Sequence, residues 1–469
     1  MTSDLEKAFT ELYAKQRPYT LLFNYYEGDQ PLSYMNSSRM QKIFEGLDGY
    51  FSQNWCSVVI DAVRDRINLR KIEVKGAAKA AWKEIWDGSQ LELESDEVHE
   101  AELITGEAFV ICWKNDDGKM EAYFNDPRLC VIFYDPQFPR KKTFAAKWYA
   151  DDEERMRLTL YYDDRLEYYI SKGKAKSATS WKHFEAMDPP TADNPFGEIP
   201  VFHFRKSKKI RSDLKNTIPI QNAVNKLVAD MMVAAEFGAF KQRYVISNAE
   251  VQGKLKNSPD EIWDLPAGDG IGQQTQAGQF DATPLDNYLQ GIEKQVVAIS
   301  SITRTPKHYF FQLGSNVSGE ALIAMESSLN KKAQDRIDRY LPEWKNVTLF
   351  LLKHSGAEVK PEDVTVRFDR PETIQPYTTA QTRQLNVTAT MPLESVLREE
   401  GKSEDEIKQV LDDQQKEKTR NANLAQAYLD RARTNFDQPQ PQPQPQPPAL
   451  PSNGKNANLG EGSVGGNHA

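Results

Sequence analysis

Six cationic side chains, Arg205, Lys206, Lys208, Lys209, Arg211 and Lys215, fall within eleven residues that hold one acid, Asp213. Clustered arginine and lysine can grip phosphates by charge and N–H donation without reading bases. The same run also suits a solvated lead-in to a helix. A second group follows about a hundred residues later. The stretch Ser301 to Gly319 carries Arg304, Lys307 and His308 and no acid, beside three consecutive aromatics, Tyr309, Phe310 and Phe311. A positive loop between helices could touch phosphates, and the aromatics could be either core anchors or a firm hinge.

Other chemistry is weakly signalled. Gly268-Asp269-Gly270-Ile271-Gly272 has the glycines of a phosphate-cradling loop but neither a preceding strand nor a following helix. No GxxxxGK[ST] and no Gly-x-Ser-x-Gly is present, and the six histidines include no pair at metal-ligand spacing. His203 reads as a packed strand residue. Asp116-Asp117 and Asp151-Asp152 read as turn acids, although a two-metal nuclease could recruit carboxylates from separate elements. Cys56, Cys112 and Cys130 lack CxxC spacing and read as reduced thiols. The expectation is a protein that is not an enzyme and needs no cofactor. The alternative is a metal-dependent DNA-processing enzyme, a nuclease of a phage.

At 469 residues the chain exceeds one typical core, and 39% hydrophobic content supports several. A net charge of −9 excludes a simple basic nucleic-acid binder. No secretory signal is read at the N-terminus and no apolar run reaches the roughly 18 residues of a membrane span, so a cytoplasmic origin and no membrane partner are expected.

The elements that must carry the cations are helical rods. Residues 4 to 69 read helical, with Asp4 to Lys15 as a first short helix. Ala77–Trp86 and Ser95–Leu103 read as further amphipathic helices. From Ala108 the period shifts to two: a hairpin closed at Asn115–Gly118, then a meander through Lys172. Asp188 to Pro200 reads as a Pro-rich link and VFHFRK as a last strand. Then come a helix over Ser212–Phe240, a Gly/Pro-broken insert over Lys241–Pro284, a helix over Leu285–Arg304, the aromatic loop, and a helix to His354. Ser318 should cap that helix and Pro342 should kink it. Asp363–Pro371 reads as a strand returning to the earlier sheet. Residues 378–433 read helical, broken at Met391-Pro392, and the Gln-Pro tail after residue 436 reads as unstructured.

In order and spacing the chain resembles the phage portal proteins of the SPP1-like class. The segments that carry the likeness are YYEGDQPL, NWCSVVIDAVRDRINL, ELITGEAFVICW, FGEIPVFHFRKSKKIRSDLKNTIPIQNAVNKLVADMM and TPKHYFFQLGSNVSGEALIAMESSLNKKAQ. The resemblance covers residues 10 to 400. It implies an α+β portal fold with α/β wing, two-helix stem, small clip insert, long kinked helix and helical crown. By position it places the wing at 1–211, stem helix 1 at 212–240, and the clip at 241–284. Stem helix 2 lies at 285–304 and the tunnel loop at 305–317. The long wing helix and returning strand follow at 318–377, the crown at 378–436, and the tail at 437–469. It further implies a ring, usually of twelve subunits, at one capsid vertex, through which double-stranded DNA passes without sequence readout during packaging and ejection. Implied partners are the terminase large subunit, the head–tail adaptor, and the major capsid and scaffolding proteins. The implied location is the virion, with assembly in the host cytoplasm.

Overall fold

Helices with apolar stripes and strands with alternating burial form a mixed α+β chain. The computed structural model describes residues 3–30, 53–239, 243–246, 276–281, 283–311, 318–372, 383–386, 391–399, 402 and 404–436. The chain divides into two units, Met1–Thr382 and Arg383–Ala469.

In the first unit, α1 spans Asp4–Glu27, with Ser3 as its N-cap and Gly28 left-handed beyond its end. It runs on past Lys15 and through Pro18, farther than local signals indicate, because both halves are tied down. Phe9 meets Trp148 and Phe184 edge-on, while Lys15 and Tyr19 each reach Glu107 at 2.6 Å. Next come α2 (Trp55–Arg64, capped by Asn54), β1 (Leu69–Val74), α3 (Lys79–Gly88) and α4 (Leu91–Thr105). Gly106 ends α4 at φ 98°, and a Cβ there would lie 2.6 Å from the backbone of Arg211. Only glycine allows that approach.

Two sheets follow. β2 (Glu107–Lys114), β3 (Met120–Asn125) and β9 (Val201–Arg205) form a three-stranded sheet in the order β3-β2-β9. β4 (Cys130–Tyr134), β5 (Lys142–Ala150), β6 (Arg155–Tyr161), β7 (Arg165–Lys174) and β8 (Phe184–Asp193) form an antiparallel meander. β2 is buried on both faces. Ala108, Val110 and Cys112 join the helical core, whereas Phe109 and Ile111 pack with Cys130, Ile132 and Ala145 of the meander. The meander's other face is covered by Ala8, Phe9 and Leu12 of α1.

The segment expected as a Pro-rich link from Asp188 is instead strand through Asp193. Pro189 and Pro190 are accommodated because β8 is an edge strand whose register jumps from Ala186 to Thr191, skipping both prolines. The returning strand β12 (Val364–Phe368) pairs antiparallel with β1, not with the earlier sheet. β1 begins at Leu69, where the stretch read as helical ends, and no strand was read there, so its pairing could not be anticipated.

The long α7 spans Gly319–His354 and runs unbroken through Pro342, with Ser318 Oγ accepting the Ala321 N–H at 3.3 Å. Leu329, Ala333, Ile337, Tyr340, Trp344, Val347 and Leu351 are buried along one side, whereas Met325, one turn before Leu329, is exposed. The second unit contains α8 (Leu393–Glu399) and α9 (Glu404–Phe436), the latter with Leu424, Tyr428 and Leu429 exposed. No helix among the described residues is long and apolar enough to cross a membrane.

His99 of α4 is fully buried, stacked on Tyr340 at 4.8 Å, and its Nε2 accepts the Trp344 indole N–H at 3.0 Å. Burial lowers its pKa from 6.5 to about 3. The unfolded chain therefore binds this proton first as pH falls, so folded stability should drop from about pH 6.5 downwards, with His99 contributing about 1.4 kcal/mol per pH unit. Urea midpoints at pH 6.5 and 5.0 check this. His99→Gln should show a shallower decline, and an unchanged slope would exclude His99 as its source. His203, whose pKa burial also lowers, should leave a residual slope.

Candidate nucleic-acid interface

Two helices position the loop cations. A 3-10 turn at Asp213–Asn216, capped by Ser212, precedes α5 (Ile218–Ala239), so the helix starts later than Ser212. Pro219 explains this, since it lacks an N–H and suits a helix's first turn. α6 spans Asp286–Thr303. The pair packs through Val224 and Val228 against Val296 and Ile299, with Val59 and Phe310 completing the cluster. Within the insert, β10 (Arg243–Ile246) pairs with β11 (Gln276–Gln279). Gly268–Gly272 lies outside the described residues.

Arg304 closes α6 at φ 61°, a left-handed conformation that costs a non-glycine residue about 1 kcal/mol or more. Thr305 and Pro306 are buried, and Lys307–Tyr309 make a 3-10 turn. The aromatics prove to be anchors. Phe310 is buried against Trp55, with ring centroids 5.6 Å apart, and Tyr309 accepts from Arg66 Nη2 at 2.7 Å. His308 Nε2 faces Glu326 of α7 at 3.2 Å, and Arg66 reaches the same carboxylate at 3.3 Å. Arg304 and Lys307 are exposed. The loop base is thus fastened to α2 and α7 while Arg304 and Lys307 stay solvated. Residues 312–317 of the loop lie outside the described residues.

A buried charge network joins this region to the sheets. Arg336 of α7 donates to Glu102 at 2.5 and 2.7 Å and to Asp213 at 2.6 Å. Tyr340 also donates to Glu102, as does the backbone N–H of Lys206 at 2.9 Å, and Lys332 pairs with Asp213 at 3.0 Å. Burial alone would raise the Asp213 pKa, but Arg336, Lys332 and Lys206 hold it well below the usual carboxylate range. Asp213 stands just before α5, so the network fixes the point where the sheet region hands over to the helix pair. Sequence reasoning missed it. Its trace was present: Arg336 falls in the apolar stripe of α7, between Ala333 and Tyr340, where an unpaired charge would be very costly.

The side chains of the cationic run have different settings. Arg205 is half-buried 4.6 Å over the Tyr134 ring, Arg211 donates to Asn216 Oδ1 at 3.1 Å, and Lys206, Lys208, Lys209 and Lys215 are exposed. His203 is buried, its Nε2 2.9 Å from Glu107 and its ring stacked on Phe109. Among the described residues no group of three or more His, Cys, Asp or Glu side chains could hold a metal ion.

Over residues 10–423 the chain matches the family described as "Phage portal protein, SPP1 Gp6-like", and it belongs to that family. Members are structural proteins of phage particles. The chain matches no curated protein. Among solved structures it is similar to a chain of "Neck of empty GTA particle computed with C6 symmetry". That match has 10% identity and a TM-score of 0.44, covering 79% of this chain and 94% of that one. It is also similar to a chain of "Neck of native GTA particle computed with C12 symmetry", at 11% identity, a TM-score of 0.41, and 79% and 94% coverage.

Proposed function

We propose that copies of this chain close into a ring, of twelve subunits, at one vertex of a phage head and conduct DNA inward during packaging and outward during ejection. The observation that carries this is family membership across residues 10–423. Exposed apolar side chains on both helices support it: Met232 of α5 is 39% exposed, and Leu289 and Ile302 of α6 are 52% and 51% exposed. In this reading α5 and α6 are the stem, the insert at 241–284 is the clip that docks the terminase large subunit and later the head–tail adaptor, and residues 378–436 are the crown. Ring formation is tested by light scattering and negative-stain imaging of the purified protein. A strictly monomeric species at micromolar concentration would oppose it.

A sliding polyanion must be held weakly. Each neutralised phosphate adds counterion-release affinity, and a ring repeats every contact. The net charge of −9 keeps the total small, leaving local cations to guide the duplex. Arg304 and Lys307 are assigned that role. His308, turned to Glu326, fastens the loop base, and the exposed Lys209, Arg211 and Lys215 form the collar. That Arg304 occupies a strained position suggests its side chain is kept for a reason beyond backbone fit, although a cation also suits a helix C-terminus. Arg304→Ala/Lys307→Ala should leave ring yield unchanged and lower the amount of packaged DNA. Normal packaging by the double variant would remove the assigned role.

A further inference from the structure

The first part of the cationic run has a different setting from the rest. Arg205, Lys206 and Lys208 border a cleft of about 890 Å³ between the outer edge of β9 and the second half of α7. Seven lysine and arginine side chains line it, Arg140, Lys142 and Arg339 included, against three carboxylates, of which Glu198 is already paired with Lys353 at 2.7 Å. Phe202 and Leu349 supply apolar lining. Lys142 is fixed in place, donating to the Val201 carbonyl at 2.7 Å and lying 4.2 Å over the Phe202 ring. A cleft of this volume takes a few side chains of a protruding element and not a whole duplex.

The opposite edge of the same sheet has the complementary character. The outward N–H groups of β3 are covered from the α3–α4 junction: Ala122 N donates to Ser89 Oγ at 3.0 Å and Phe124 N donates to Glu94. Around that junction Asp87, Glu92, Asp96 and Glu97 are exposed, and Leu93 among them is 58% exposed. The strand order β3-β2-β9 therefore puts an acidic ridge with an apolar tip on one edge and a cationic cleft with apolar lining on the other.

We propose that the cleft receives the acidic start of α4 from a neighbouring copy of this chain, with Leu93 seated on the apolar lining and Glu92 and Glu97 facing Arg140 and Arg339. The proposal rests on the ring reading, because a closed ring requires contacts between two different patches of the subunit. Exposed ion pairs are individually weak. These would recur at every interface, and their charge pattern would fix which edge meets which.

The test uses two full-length chains, one carrying Arg140→Glu/Arg339→Glu and one carrying Glu92→Lys/Glu97→Lys. Each is sized alone by light scattering beside the wild type, and the two are then mixed in equal amounts. Each alone should lose the ring, because like charges meet at every interface. The mixture should regain it, because alternating copies set lysine edges into glutamate clefts and native edges into native clefts. Recovery on mixing also shows that both chains are folded. A wild type that forms no ring removes the ring reading and this inference with it. If the wild type forms rings, either a variant that assembles alone or a mixture that stays dissociated overturns the cleft assignment and leaves the ring reading standing.

Discussion

Arg336→Met is expected to destabilise the chain by about 3–5 kcal/mol, read as a shift of the urea midpoint at fixed protomer concentration. The Arg336 side chain is 1% exposed, and its partners Glu102 and Asp213 are 0% and 9% exposed. Removing the guanidinium leaves Glu102 with hydrogen bonds from Tyr340 and the Lys206 N–H but no cation at contact distance. Lys332, at 3.0 Å, still serves Asp213. The loss reports a stranded charge more than the value of the ion pair. The triple variant Arg336→Met/Glu102→Leu/Asp213→Asn should therefore recover part of the stability, because the stranded charges are gone while the Tyr340 hydroxyl and the Lys206 N–H lose their acceptor. A single variant within about 1 kcal/mol of wild type would show that water reaches the site and the network is not sealed. The triple variant has a second use. If the network serves mainly to hold Asp213, and hence the start of α5, its stability should return while ring yield does not.

Trp344→Ala should cost a similar amount, about 3–5 kcal/mol. Trp344 is fully buried, its ring lies 4.8 Å from Phe204, and its N–H is held by His99. Truncation opens a cavity walled by α4 and β9, which the sheet prevents from collapsing. Trp344→Phe keeps most of the volume and loses the hydrogen bond to His99, so about 1–2 kcal/mol is expected. The difference between the two midpoints separates packing from polar pairing. Near-equal losses would mean that the hydrogen bond, and not the volume, dominates at this position.

The site was legible where the signal is local. The two rods and the loop between them are marked by period and by turn residues, and the helix after the loop by its cap at Ser318, all within a few positions of one another. Exposure of Arg304 and Lys307 also follows from residue type, since lysine and arginine are seldom buried without a partner. The attachment of the loop base was not legible. It depends on Arg66 meeting Glu326 and Asn330, about 260 residues later in the chain, and all three look like ordinary surface residues; Arg66 Nε donates to Asn330 at 2.9 Å. The edge strand β8 was hidden by its prolines, which normally signal a link and here fall in a skipped register.

Residue order by itself determined the helix-to-strand switch near residue 107, the meander, the helix pair and the long capped helix. Each follows from periodicity and capping over distances of one or two turns. Tertiary structure decided the rest: β1 with β12, α1 carried through Pro18, the Arg336 network, and the placement of a cationic cleft and an acidic ridge on opposite edges of one sheet. These depend on which surfaces meet after the chain has closed loops of tens to hundreds of residues, and no local periodicity records that choice.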